Sequence, residues 1–310
     1  MKNLSSRTPA SNEIFYTSAD GNIVKPKRLK VFGANIVSNT YKNGQGVIVF
    51  DAPVTEIGGY AFSYCRSLTS VTIPDSVTEI GDWAFRGCSS LKSVTIPDSV
   101  TEIGQSAFSG CSSLESFYGK FASSDNRCLI IDGVLNSFAP ANLTSYTIPD
   151  SVIEIGCGAF DGCSSLTSVT IPDSVTSIGG FAFENCTSLP VENNVRYAGN
   201  CAVGVTDKTL TSYTLKEGTR CLVSAFYDCS SLTSVTIPDS VTEIGCAAFS
   251  WCGSLTSVYC KPTTPPAGGY GMFYNNASGR KIYVPAASVD AYKSAKGWSE
   301  YASDIVGYDF

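Results

Sequence analysis

Seven times the chain spells Ala-Phe-x-x-Cys, at Phe62/Cys65, Phe85/Cys88, Phe108/Cys111, Phe160/Cys163, Phe183/Cys186, Phe226/Cys229 and Phe249/Cys252. Successive cysteines lie 23, 23, 52, 23, 43 and 23 residues apart. The ten residues Thr69–Thr78 recur unchanged at Thr167–Thr176 and Thr233–Thr242. A period of this length is the signature of a repeat architecture, in which each unit completes its core only against its neighbours. The two long gaps equal one regular unit plus 29 and plus 20 residues. Each therefore reads as an enlarged turn in a continuous array rather than a break between domains.

Within one unit the apolar period changes. Ser93 to Ile96 alternates β-branched residues and reads as a short strand. Pro97-Asp98-Ser99 ends it, because proline has no ladder donor and fixes φ. Val100 to Ile103 is a second short strand, closed by Gly104, where a left-handed or tight backbone is expected. Ala107, Phe108 and Cys111 then fall at helical spacing, which predicts one short helix or 3-10 turn per rung. The apolar side chains of one unit are too few to offset the entropy of ordering it, so units must stack and fuse their apolar faces. The predicted fold is an α/β solenoid of about ten rungs, with short strands plus one such turn in each.

The unit L-x-x-V-x-I-P-x-x-V-x-x-I-G-x-x-A-F-x-x-C resembles the BspA-like (Treponema pallidum type) leucine-rich repeat of bacterial surface proteins. The run Gly279 to Pro285, with Asp290 to Lys293 and Gly297-Trp298, resembles the closing segment of such proteins from Bacteroides-type bacteria. The resemblance implies a leucine-rich-repeat solenoid, display at the cell surface or secretion, and adhesion to host matrix or cell-surface proteins, host cells or other bacteria.

The expected organisation is a single domain over residues 1–310. It has an N-terminal cap at 1–53, repeats at 54–260 with enlarged turns at 117–142 and 190–211, and a C-terminal cap at 261–310. Asp20-Gly21 signals a hairpin in the first cap. Ile282 to Val284 reads as a last strand, followed by a helix over Ser288–Tyr301. Met1 to Ala10 has no apolar core and no segment is apolar enough to span a bilayer, so neither a signal peptide nor membrane insertion is expected, and an intracellular location stays open.

Thirteen cysteines look like reactive chemistry, but seven share one repeat position, and a position common to every rung is a packing position. Pairing between adjacent rungs stays open for Cys157, Cys201, Cys221, Cys246 and Cys260. With no histidine there is no imidazole to activate a nucleophile, and without C-x-x-C as well no zinc site is expected. The acids are periodic too: Asp75, Asp98, Asp150, Asp173 and Asp239 follow the proline, and Glu56, Glu79, Glu102, Glu154 and Glu243 precede the repeat isoleucine. Turn and surface duties explain them, against a calcium-binding stripe or a carboxylate-dependent hydrolase. No cofactor is expected. A net charge of −6 disfavours nucleic acid as a partner.

Binding is what remains, and the informative residues are those that fail to repeat. Four positions vary, two before Ala-Phe and two after. They hold Tyr60, Tyr64, Trp83, Phe181, Tyr227 and Trp251, candidate anchors for a protein partner. The enlarged turns add Tyr118, Arg127 and Tyr197. A glycan, with the same aromatics as stacking platforms, or a scaffold role in a surface complex, is the second reading.

Overall fold

The computed structural model describes residues 7–310; the first six residues, part of the stretch read above for a leader and of the N-terminal cap, lie outside them. The chain is a β-solenoid of about 11 turns spaced by about 23 residues. It divides into two compact units. One takes the chain to Thr144 together with Ser151–Ser165 and Asn185–Thr187; the other takes Ser145–Asp150, Leu166–Glu184 and Ser188–Phe310.

In the first unit the strands Leu68–Thr72, Ser93–Ile96 and Ser116–Gly119 run parallel, with Ser70, Ser93 and Ser116 in register. Glu56–Ile57, Glu79–Ile80 and Glu102–Ile103 make a second parallel ladder. Because the register repeats once per rung, identical residues stack on identical residues. Phe62, Phe85 and Phe108 form a continuous buried column with centroids 5.4 and 5.1 Å apart and rings within 7° of parallel. The repeated hydroxyls close the rungs together: Ser76 and Ser99 Oγ each donate to the carbonyl of the rung before, at Val54 and Val77 (2.7 Å).

The Ala-Phe segment forms a run of turns rather than the expected helix. Ala61, Ser63 and Cys65 donate their N–H groups three residues back, to Gly58, Tyr60 and Phe62. The residues between them, Tyr60, Phe62 and Tyr64, donate to the next rung at Asp82, Ala84 and Arg86 (2.6–3.0 Å). Half the amides thus bind within the rung and half across it, which makes a third inter-rung ladder. A helix would have turned every amide inward and left successive rungs unlinked along this edge.

The glycine that closes each second strand does not need a left-handed backbone, contrary to one of the two expectations for it. Close approach is the reason: a Cβ on Gly81 would lie 2.6 Å from the Gly59 nitrogen, and one on Gly104 2.4 Å from the Asp82 nitrogen.

The enlarged turn of this unit is a hairpin, Cys128–Ile131 with Val134–Phe138, joined through Asp132 and Gly133 at φ 49° and 83°. Its second strand pairs parallel with Glu154–Ile155 and so takes the place of a rung's Glu-Ile strand. At the N-terminal end Glu13–Ser18 lies antiparallel on Leu68–Thr72 and on Gln45–Phe50. Gln45–Phe50 also pairs with Ile36–Lys42. The hairpin signal that counts is Asn43-Gly44, at φ 53° and 81°; Asp20-Gly21 makes only a local turn.

The second unit uses the same rows. Ser212–Thr214, Ser234–Ile237, Ser257–Cys260, Lys281–Pro285 and Ile305–Tyr308 form one parallel sheet, so the closing strand is Ile305–Tyr308, beyond the one expected. Its enlarged turn is again a hairpin, Val195–Ala198 with Cys201–Val205, whose second strand adjoins Cys221–Leu222. The C-terminal lid is the short helix Val289–Ser294 followed by a 3-10 turn at Ser299–Tyr301. It buries Tyr292 and Trp298, whose polar atoms donate to the Pro262 and Pro266 carbonyls at 2.8 and 2.7 Å. No helix among the described residues is long and apolar enough to cross a membrane.

Candidate functional site

The cysteines of the repeat are spent inside the scaffold. Cys88, Cys111, Cys186 and Cys252 each donate the thiol to the carbonyl of the preceding rung's phenylalanine, at 3.0–3.2 Å. Burial pushes the Cys65 thiol up to about 11 and that of Cys111 to about 12, the reverse of what a nucleophilic thiolate requires. One pair is a disulfide, Cys201–Cys221, on directly opposed residues of neighbouring parallel strands.

The variable edge is different. Five of the six aromatic candidates, Tyr60, Tyr64, Trp83, Phe181 and Trp251, stand in the left-handed region at φ between 54° and 66°. Side chains with a Cβ avoid that conformation at a cost of about 1–2 kcal/mol, and for bulky rings it is a true outlier. At the position of Tyr64 and Trp251 other rungs carry Gly87, Gly110, Gly162, Asn185 and Asp228, the residue types that tolerate it, and all are left-handed. Those glycines were the sequence signal for a turn rather than a helix.

The aromatics are not isolated. Tyr60 and Trp83 stack at 5.0 Å and 24°, with the Arg28 guanidinium 4.7 Å from the Tyr60 ring centroid. Tyr64 lies over Gly87, where a Cβ would meet the ring at 2.6 Å, and the Arg86 guanidinium is 5.7 Å from its centroid. In the second unit Phe181 meets Tyr227 edge to face at 5.0 Å, and Trp251 meets Tyr274 at 6.0 Å. Tyr64 and Trp251 are each 48% exposed, and Tyr270 and Tyr274, not singled out in the sequence, are 89% and 62% exposed on the degenerate final turn. They precede and follow Met272-Phe273, a disguised Ala-Phe, so aligning that rung would have found them.

The enlarged turns contribute less. Tyr118 is exposed on the strand Ser116–Gly119, in the column where Thr95 stands. The guanidinium of Arg127 clasps its own hairpin, donating to the Ala139 and Ala141 carbonyls at 3.2 and 3.0 Å. Tyr197 is buried, its hydroxyl accepting the Lys216 amide (3.1 Å) and its ring 4.3 Å beneath the Lys216 ammonium. Both serve the scaffold with the groups that a partner would need.

The second unit also has a cleft of about 540 Å³ beside the disulfide. Ile171, Pro172 and Val175 line it and are only half-buried, whereas Ile237, Pro238 and Val241 are buried at the same place in their rung. Two carboxylates face it, and both have partners: Asp173 pairs with Arg220 at 3.0 Å, and Glu243 accepts the Ile178 amide at 3.4 Å.

The chain matches the BspA type leucine-rich repeat region in six copies, over residues 30–124, 135–222 and 219–295. Similar solved structures include a leucine-rich cell surface protein from Faecalibacterium prausnitzii, 33% identical over 67% of this chain and 57% of that one, with a TM-score of 0.47. This chain thus spans little more than half of that protein. A leucine-rich repeat protein from Bacteroides ovatus is 24% identical over 83% of this chain and 76% of its own, with a TM-score of 0.28. The pneumococcal vaccine antigen PcpA is 19% identical over 83% and 66%, with a TM-score of 0.42. No curated protein matches.

Proposed function

Because the chain belongs to the BspA-type leucine-rich repeat family, we propose that it is a non-enzymatic binding module of the bacterial cell surface, adhering to host matrix or cell-surface proteins through its turn edge. The observation that carries this reading is that Tyr64 and Trp251 are held left-handed where other rungs use glycine, asparagine or aspartate; Tyr60, Trp83 and Phe181 stand left-handed at a second position, filled elsewhere by Ser106, Gly158, Ser224 and Ala247. A ring kept at a backbone cost, and half exposed, is accounted for by a contact made outside the chain. Three inter-rung ladders hold the edge rigid, which lowers the ordering cost of association. The carboxylates of the cleft are occupied by Arg220 and by the Ile178 amide, which favours binding over hydrolysis.

A panel of purified matrix proteins passed over the immobilised chain tests the proposal. At least one should be retained, and Tyr64→Asn with Trp251→Asn should weaken that retention about tenfold or more, as for interface anchors, with the circular dichroism unchanged. Retention that the double variant leaves intact, or none at all, sinks the reading. Protease shaving of intact producing cells checks the surface location.

A further inference from the structure

Segment 25–31 precedes the first regular rung and runs antiparallel along its turn edge, covering it. Lys27 N–H donates to the Ala61 carbonyl (2.8 Å), the Cys65 thiol to the Lys25 carbonyl (3.4 Å), and Gly58 N–H to the Val31 carbonyl (2.7 Å). Arg28 is thereby set over Tyr60. Lys25, Lys27, Arg28, Lys30 and Arg66 are exposed and Arg86 half-exposed, all on this segment or the next two turns. None of the six enters an ion pair among the described residues; the pairs formed are Arg7–Glu13, Lys92–Glu115, Lys208–Asp228, Arg220–Asp173 and Arg280–Asp304. The acid on the same turns, Asp82, has Oδ1 turned to the Gln105 amide (2.7 Å). A chain of net charge −6 therefore gathers six uncompensated cations on one edge of its first unit.

We infer that the edge formed by Lys25, Lys27, Arg28, Arg66 and Arg86 around Tyr60, Tyr64 and Trp83 is a binding site for a linear polyanionic polysaccharide bearing carboxylates or sulfates. This rests on the reading of the turn edge as the contact surface and names a ligand class for its first unit. Rungs recur about every 4.8 Å, so cations on three successive turns form a row about 10 Å long, suited to a polymer with charge repeated along it. Single-stranded nucleic acid would need open ring faces to stack its bases. Here Trp83 stacks on Tyr60 and the Arg28 guanidinium also lies over that ring, while Tyr64 lies against Gly87 and Arg86. What stays accessible is guanidinium and ammonium groups, ring edges and the phenol hydroxyls, which pair with anions and sugar hydroxyls.

The test is titration calorimetry of the whole chain with heparin as probe, at about 50 mM salt and upward. The wild type should bind with affinity falling linearly in log salt. Lys27→Gln/Arg28→Gln/Arg86→Gln should weaken binding about tenfold or more and flatten that slope, with an unchanged melting temperature. Arg220→Gln in the second unit should change nothing. Equal binding by the triple variant, or binding of oligo-dT or polyglutamate as tight as that of heparin, overturns the inference. If heparin fails while matrix-protein retention persists and stays sensitive to Trp251→Asn, this inference falls alone; if both fail, the turn-edge reading falls with it.

Discussion

The two turn edges share a backbone and differ in how their rings meet. On the first unit's edge Tyr60 and Trp83 stack nearly parallel, with free cations around them. On the second, Phe181 with Tyr227 and Trp251 with Tyr274 meet at 83° and 69°, and the local cation Lys208 is already paired with Asp228 at 3.8 Å. Repeat position explains the contrast. Tyr60 and Trp83 occupy the same position of consecutive rungs, so translation by one rung superposes them face to face, as it does Phe62, Phe85 and Phe108. Phe181 and Tyr227, like Trp251 and Tyr274, occupy different positions, and rings offset across the edge meet edge-on. Column identity therefore sets ring geometry, and ring geometry sets which surface is left for a partner.

Beneath that difference the scaffolds should fail alike. Phe85 lies in a parallel stack between Phe62 and Phe108, and Phe249 between Phe226 and Phe273. Phe85→Ala and Phe249→Ala should each cost about 3–5 kcal/mol in denaturant unfolding. A loss below about 1 kcal/mol in either would show that the units do not share one packing logic. The disulfide separates them. Reducing Cys201–Cys221, which closes a loop over a sequence separation of 20, should cost about 3 kcal/mol. Limited proteolysis with and without reductant should show the loss within Ser188–Phe310 and leave the segments before Thr144 unchanged; equal sensitivity in both breaks the comparison.

The scaffold was legible because each element of it recurs. Seven copies of one pattern specify the strands, the buried Phe column and the packed cysteines without reference to distant contacts. What escaped was written in single residues. The helix expectation followed the spacing of Ala107, Phe108 and Cys111, while Gly87, Gly110 and Gly162 after the Phe already marked a left-handed turn. The strand Ile305–Tyr308 and the Cys201–Cys221 pair fall where the repeat has decayed, so no sister rung points to them. The aromatics were legible as variable residues, but not their backbone state, because nothing about a tyrosine in a string announces a positive φ. Arg28 left no such trace: its place over Tyr60 depends on segment 25–31 running antiparallel along the first turn edge, and no repeat pattern in that segment points there.

The smallest expected effect is the most diagnostic of the edge. At an ordinary exposed position alanine is more stable than glycine by about 0.5–1 kcal/mol, because glycine loses more backbone freedom on folding. At a left-handed position the order reverses, since the Cβ of alanine is disfavoured there and glycine is not. Trp251→Gly and Trp251→Ala delete the same ring, so their difference isolates the backbone from the lost packing. The glycine variant should be the more stable by about 1 kcal/mol, and the same ordering should hold for Tyr64 and Trp83. Tyr227 is the control on the second edge, an aromatic of the same surface that is absent from the left-handed set, and there alanine should be the more stable. Thermal melts of the paired variants decide it. An alanine advantage at Trp251 and Tyr64 would mean that their backbone carries no cost, and would remove the reason for assigning those rings to a partner rather than to the neighbouring rung.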